Sequence, residues 1–166
     1  MGLVLAAVGA WVAALLEFTI ASRFQFAGAQ LQILLVLGIV LTLSSSFESG
    51  IVWSFVGGLF ADMLSMRPLG STVFALLIVV GAASLIGRVL SSARPLDAVV
   101  SVIALTPLYL MLVDMTTALL RPPAPTLGLS ALVSASLVNT VLGAVITAAI
   151  YIVRRRSEWR ENRSVW

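Results

Sequence analysis

The residues of this chain that could do chemistry are few, and the most unusual of them are carboxylates inside apolar runs. Glu17, Asp62 and Asp114 each lie within a stretch dominated by Leu, Val, Ile and Ala. Because an ionised side chain at the middle of a bilayer costs about 2.5–3.5 kcal/mol on insertion scales, each carboxylate requires an explanation. Each is followed five to seven residues later by an arginine, namely Arg23, Arg67 and Arg121. This spacing favours carboxylates that snorkel to, or pair with arginine at, one face of a membrane. The alternative is that Asp62 and Asp114 line an outward-facing cavity or a partner-helix groove.

Other reactive side chains are missing from the sequence, which contains no His, Cys or Lys. Zinc fingers, haem attachment and disulfide frameworks therefore lack their usual ligands, and the lysine of a P-loop is absent as well. A membrane-embedded enzyme would have to use carboxylates alone, and the three candidates lie on separate predicted helices. We therefore expect a protein that is not an enzyme and that carries no cofactor or metal.

Length and composition decide which elements must position these residues. The chain has 166 residues, of which 60% are apolar and 10% charged, whereas about a quarter of the residues of a soluble domain are charged. A water-soluble fold is thus excluded. Since about 20 apolar residues cross a bilayer, the sequence predicts an all-α polytopic membrane protein, a compact bundle of six transmembrane helices over residues 1–153. The predicted helices cover about 3–20, 31–47, 50–66, 71–90, 97–120 and 128–153.

The distribution of arginine predicts the orientation, because basic residues beside membrane spans are retained in the cytoplasm. Arg88, Arg94 and a basic tail, 154–166, fall on one side of the predicted bundle, and the remaining three arginines fall on the other. Both termini are therefore predicted to be cytoplasmic. The tail is expected to anchor to anionic lipid, with a docking site for a cytoplasmic partner as the alternative. A nucleic-acid partner is not indicated, because the basic pI is a property of this tail. Its arginines are Arg154, Arg155, Arg156, Arg160 and Arg163.

Small residues give two predicted helices smooth surfaces. Gly57, Gly58 and Ala61 lie on the third helix, and Ser130 and Ser134 lie on the sixth. Such surfaces let helix backbones approach closely within a membrane. Packing inside the bundle is the favoured interpretation, and a partner interface is the alternative. The sixth helix also carries Asn139, which is predicted to hydrogen-bond to another helix.

Two segments resemble each other. Asp62-Met63, followed by Arg67-Pro68 and Leu69-Gly70-Ser71, is echoed by Asp114-Met115, then Arg121-Pro122 and Leu127-Gly128 after a longer insertion. A hairpin repeat would explain the match, and chance similarity between apolar sequences is the alternative. The proline of the first segment is predicted to end the third helix, and Ser71 to cap the fourth.

The stretch from Gly57 to Ser71 resembles the bacterial rod shape-determining protein MreD family, which has a G-x-x-x-D-x-x-x-x-x-P-L-G type sequence between its third and fourth helices. Asp62, Pro68 and Gly70 are the positions that match the motif. Length, helix number and basic C-terminus are also similar to the family's over the whole chain. Candidate partner-interface or structural residues are Gly57, Gly58, Ala61, Asp62, Arg67, Pro68, Gly70, Asp114 and Arg121.

The resemblance implies a non-enzymatic scaffold in the bacterial inner membrane that helps to maintain rod shape and to direct lateral peptidoglycan synthesis. Such a protein would bind the bitopic protein MreC. Through MreC it would contact MreB filaments, the RodA glycosyltransferase and the elongation-specific class B transpeptidase. The family's fold is regarded as similar to the substrate-binding membrane subunit of energy-coupling-factor transporters. A solute- or vitamin-binding transporter subunit of that architecture is the alternative function.

Overall fold

The computed structural model describes residues 2–21, 25–26, 29–90, 95–120 and 128–161. They form a helical bundle with one short antiparallel ladder, in which Gln25 pairs with Gln30. Five helices are long and apolar enough to cross a membrane, whereas the second has only 12 residues. The chain is therefore a helical, multi-pass membrane protein. Its elements are α1 (Gly2–Ala21), β1 (Gln25–Phe26), β2 (Ala29–Gln30), α2 (Ile33–Ser44), α3 (Phe47–Leu64), α4 (Ser71–Leu90), α5 (Pro95–Leu120) and α6 (Leu129–Glu161).

The short helix α2 lies at the centre of the bundle and packs against each of the other five helices. Around it, α1 packs on α3, α3 on α4, α4 on α5, and α5 on α6. Most side chains of α2 are consequently buried, and Val36 and Ile39 are fully so. A helix enclosed by protein does not need to reach both membrane surfaces, because its neighbours and not lipid surround its ends.

The helix bounds differ from the predicted ones mainly around α2 and at the C-terminus. α2 ends at Ser44, earlier than the predicted 47, because Ser46 starts the next helix: its hydroxyl accepts a hydrogen bond from the Ser49 N–H at 3.3 Å. α3 consequently begins at Phe47, whereas the expected start was residue 50. α4 covers the predicted residues, and α6 continues to Glu161, so residues 154–161 of the predicted tail are helical.

The glycines of α3 pack inside the bundle, as the favoured interpretation of the small residues stated. A Cβ atom at Gly58 would lie 2.7 Å from Cα and 2.8 Å from the backbone N of Val73, so α3 and α4 touch along their backbones there. A Cβ at Gly57 would meet the Leu34 side chain at 2.6 Å and Ala10 at 3.4 Å. α3 runs through both glycines as one helix. These residues therefore hold α3 against α1, α2 and α4.

Candidate functional site: a polar layer at one end of the bundle

Asp62 is fully buried and binds the first turn of the next helix. Its Oδ2 accepts hydrogen bonds from the N–H groups of Gly70 at 2.8 Å and Thr72 at 3.2 Å. Its Oδ1 accepts from the Thr72 N–H at 3.0 Å and the Ser71 hydroxyl at 3.1 Å. The first N–H groups of a helix have no partner within that helix, and the positive end of its dipole favours an anion. Asp62 is therefore an N-terminal cap of α4 that is supplied by α3.

The sequence of the α3–α4 turn makes this contact geometrically possible. Met66 adopts a left-handed conformation with φ of 51°, and Gly70 has φ of 97°, so the chain reverses within six residues, 65–70. Pro68 cannot continue α3, and its carbonyl accepts a hydrogen bond from the Ser71 hydroxyl at 2.9 Å. Ser71 was predicted to be the capping residue of α4. It is instead the first residue of the helix, and its hydroxyl donates to the carboxylate that caps it.

Glu17 of α1 caps the N-terminus of α2 in the same way. Its Oε2 accepts a hydrogen bond from the N–H of Leu34, the second residue of α2, at 2.7 Å. Gln32, which precedes α2, makes no side-chain cap of its own. Sequence reasoning assigned Glu17 to a membrane face and missed this contact. The available signal was a carboxylate one turn before the end of a helix, followed by a helix that lacks Ser, Thr, Asp or Asn at its start.

Asn139 of α6 completes the polar surroundings of the α2 N-terminus. Its Oδ1 accepts a hydrogen bond from the Gln32 backbone N–H at 3.0 Å, and its Nδ2 donates to the Gln32 Oε1 at 3.3 Å. Asn139 is fully buried and Gln32 nearly so. Asn139 thus hydrogen-bonds outside its own helix, as predicted, and its partner is Gln32, the residue that precedes the central helix.

The polar side chains described above lie in one layer at one end of the bundle. We call this end, where Asp62 lies, the Asp62 end. Tyr109 of α5 is buried and lies near Thr72, which is buried as well. Among the described residues, the Asp62 carboxylate accepts hydrogen bonds from Gly70, Ser71 and Thr72. The Arg67 side chain makes no hydrogen bond to it there. The polar layer consists of Glu17, Gln32, Asp62, Thr72, Tyr109 and Asn139.

Asp114 is not part of this layer. It lies on α5, five residues beyond Tyr109, and is half-buried. Within the part of the chain that the structure describes, its carboxylate has no hydrogen bond. Of the remaining predicted residues, Arg23, Arg121 and Arg163 lie outside the described residues. Arg154, Arg155, Arg156 and Arg160 belong to α6, and their side chains are likewise outside the description.

The layer can hold helix termini in place, and its two carboxylates are already bound to backbone amides. No three His, Cys, Asp or Glu side chains of the described residues are grouped so that they could hold a metal ion. The site is therefore an interhelical clamp that joins α1 to α2 and α3 to α4. Comparison of the chain with protein-family models, with curated proteins and with solved structures finds no match.

Proposed function

We propose that this chain is a non-enzymatic scaffold of the bacterial inner membrane that binds the bitopic protein MreC and helps to maintain rod shape. In this proposal it links MreC, and through it MreB filaments, RodA and the class B transpeptidase, to lateral peptidoglycan synthesis. The observation that supports the proposal most is that the matched motif positions, Asp62, Pro68 and Gly70, lie together in one structural unit, the α3–α4 turn.

Gly58 and the three matched motif positions each have a separate physical task in this unit. Gly58 lets the backbone of α3 approach Val73 of α4. Asp62 binds the first amides of α4, and Gly70 supplies both one of those amides and the left-handed turn. Pro68 ends α3. Because the spacing of Asp62, Pro68 and Gly70 is needed for this hairpin, its match to the family motif supports a common α3–α4 geometry.

The proposed topology has six crossings with both termini in the cytoplasm, which makes the Asp62 end the outer end. Fifteen residues separate Asn139 from Arg154 on α6, about 22 Å at helical rise. The polar layer would then lie toward the outer side of a hydrocarbon core about 30 Å thick, with the arginines of α6 at the cytoplasmic surface. The proposed similarity to the substrate-binding membrane subunit of energy-coupling-factor transporters rests on the family resemblance alone.

Depletion and co-purification test this function together. Depletion of the protein from its rod-shaped host is expected to give rounded cells, and the affinity-tagged full chain is expected to recover MreC from gently solubilised membranes. An unrelated multi-pass protein with the same tag, expressed at the same level, is the control for recovery. Normal cell shape on depletion, together with recovery of a transporter ATPase module in place of MreC, would overturn the proposal and favour the transporter subunit.

A further inference from the structure

The α5–α6 hairpin extends well beyond the polar layer. Leu120 lies eleven residues after Tyr109 on α5, and Leu129 lies ten residues before Asn139 on α6. At helical rise these segments project about 16 Å and about 15 Å past the layer. In contrast, α3 ends two residues after Asp62. The hydrogen bonds between Asn139 and Gln32 thus place this hairpin, which we call the α5–α6 extension (110–120 and 129–138), above the end of α3, and β2 packs against α6.

The surface of the α5–α6 extension is apolar and rich in methionine. Exposed fractions are 60% for Met111, 62% for Met115, 71% for Leu119 and 78% for Leu129. In the proposed orientation about 22 Å of the hydrocarbon core lies below the layer, so about 8 Å remains above it. Leu119 and Leu129, about 15 Å past the layer, consequently reach the headgroup region, where lipid tails do not cover them. Met115, about 9 Å past the layer, lies at the boundary of the core, and Met111, about 3 Å past it, lies within the core. An apolar surface that continues from the core into the headgroup region is typical of a protein-interaction site.

Asp114 lies on this surface. It is three residues after Met111 and four before the exposed Ala118, so the three share one face of α5. Among the described residues nothing donates a hydrogen bond to its half-buried carboxylate. A carboxylate beside apolar groups at the membrane boundary is stabilised most by a nearby cation. The surface therefore combines a negative charge with flexible methionine side chains, which adapt to the shape of a partner.

We propose that the α5–α6 extension is the docking surface for a single transmembrane helix that carries a basic residue in its outer turn. The basic group would pair with Asp114, and apolar side chains of the same helix would cover Met111 and Met115. This inference rests on the proposed function, in which the single-pass partner is MreC. It places the interface on the outer part of α5 and α6, whereas the small residues Gly57 and Gly58 of α3 are used inside the bundle.

Site-specific photo-cross-linking in cells tests the proposal. The full chain carries p-benzoylphenylalanine in place of Met115, or in place of Leu69 in the α3–α4 turn or Phe74 on α4, whose exposed fractions of 66% and 51% make them matched controls. We expect an MreC adduct from position 115 in at least fivefold excess over the other two. Asp114→Asn should reduce that adduct at least threefold, and Asp114→Glu should retain it. Recovery of each variant from the membrane controls for folding.

The outcomes separate the two proposals. An MreC adduct at position 69 or 74 with none at 115, or an adduct at 115 that Asp114→Asn leaves unchanged, overturns the docking surface and leaves the proposed function standing. Cross-linking at position 115 to lipid only, or to a second copy of this chain only, overturns it too. If MreC is neither cross-linked from any position nor recovered with the tagged wild-type chain, the proposed function fails and the docking surface with it.

Discussion

The first helix of the α3–α4 hairpin and the first helix of the α5–α6 hairpin each carry an Asp-Met pair in their second half, but the two aspartates are used differently. Asp62 lies two residues before the end of α3 and binds the first turn of α4 through both of its oxygens. Asp114 lies six residues before the end of α5 and has no hydrogen bond among the described residues. Six residues of helix span about 9 Å, more than an aspartate side chain can reach. The distance of a carboxylate from the end of its helix therefore decides whether it can cap the next one.

Glu17 supports this comparison from the first hairpin. It lies four residues before the end of α1 and still reaches Leu34 of α2, because glutamate has one more methylene group than aspartate. In two of the three hairpins an intramembrane carboxylate thus stabilises the fold. In the third, the carboxylate has no hydrogen bond among the described residues.

Removal of the Asp62 carboxylate should have the largest effect. Asp62→Ala leaves the N–H groups of Gly70, which is half-buried, and Thr72, which is buried, without their acceptor, at about 1–3 kcal/mol each. We expect the free energy of unfolding in bilayers, measured by steric trapping, to fall by about 3 kcal/mol or more. Glu48→Ala, at an exposed carboxylate in the first turn of α3, is the control and should cost about 0.5 kcal/mol. Equal losses in the two variants would refute the capping role.

Gly58→Ala should have the next largest effect, because its methyl group would collide with the backbone of Val73 and not with a movable side chain. Overpacking of this kind costs about 1–3 kcal/mol. Gly81→Ala is the matched control, since no atom lies within 4 Å of the position that its methyl group would take, and the higher helix propensity of alanine should make it neutral or slightly stabilising. Thermal unfolding in detergent should rank Gly58→Ala well below wild type. Equal melting temperatures for Gly58→Ala and wild type would contradict the close α3–α4 contact.

Asn139→Leu tests whether the hydrogen bonds between Asn139 and Gln32 fix the position of the α5–α6 hairpin relative to α2. The substitution leaves the Gln32 backbone N–H unpaired in a buried site, so we expect a loss of about 1.5 kcal/mol in unfolding free energy. Ser136→Ala on the same helix serves as control, because the Ser136 hydroxyl bonds only to the carbonyl of Leu132 in its own helix, and it should change stability by about 0.5 kcal/mol or less. If the two variants were equally stable, Asn139 would not anchor α6 to α2.

Asp114→Asn should have the smallest effect on stability. With no described hydrogen bond to lose, the change is expected to stay within about 0.5 kcal/mol, while recovery of MreC should fall. Unfolding free energy and co-purification measured on the same preparation check both parts. A loss of stability comparable to that of Asp62→Ala would show that Asp114 belongs to the fold after all, and the contrast between the two hairpins would disappear.

Much of the helical organisation could be predicted from the sequence, because it depends on local patterns. The span of α4 follows from the length of its apolar run. Gly57 and Gly58 pack inside the bundle because they have no side chain, and Asn139 finds a hydrogen-bond partner because a buried amide without one is costly. The short α2 was not predicted. The rule of about 20 residues applies to a helix in lipid, whereas α2 is surrounded by protein.

The site itself was harder to predict, because its contacts join distant parts of the chain. The spacing of Asp62 and Arg67 suggested an ion pair. The carboxylate instead binds Gly70 and Thr72, whose amides have no other acceptor in the described part of the chain. The height of the α5–α6 extension depends on the hydrogen bonds between Asn139 and Gln32. No local pattern in the sequence contains that information.

Hydrogen–deuterium exchange at the start of α4 tests most directly whether Asp62 holds this helix while Asp114 does not. The wild-type chain, Asp62→Asn and Asp114→Asn would be compared in the same lipid nanodiscs, with exchange followed at the Gly70 and Thr72 amides. We predict exchange at least tenfold faster in Asp62→Asn, equivalent to about 1.4 kcal/mol, and unchanged in Asp114→Asn. Equal exchange at these amides in all three proteins would contradict the capping of α4 by Asp62.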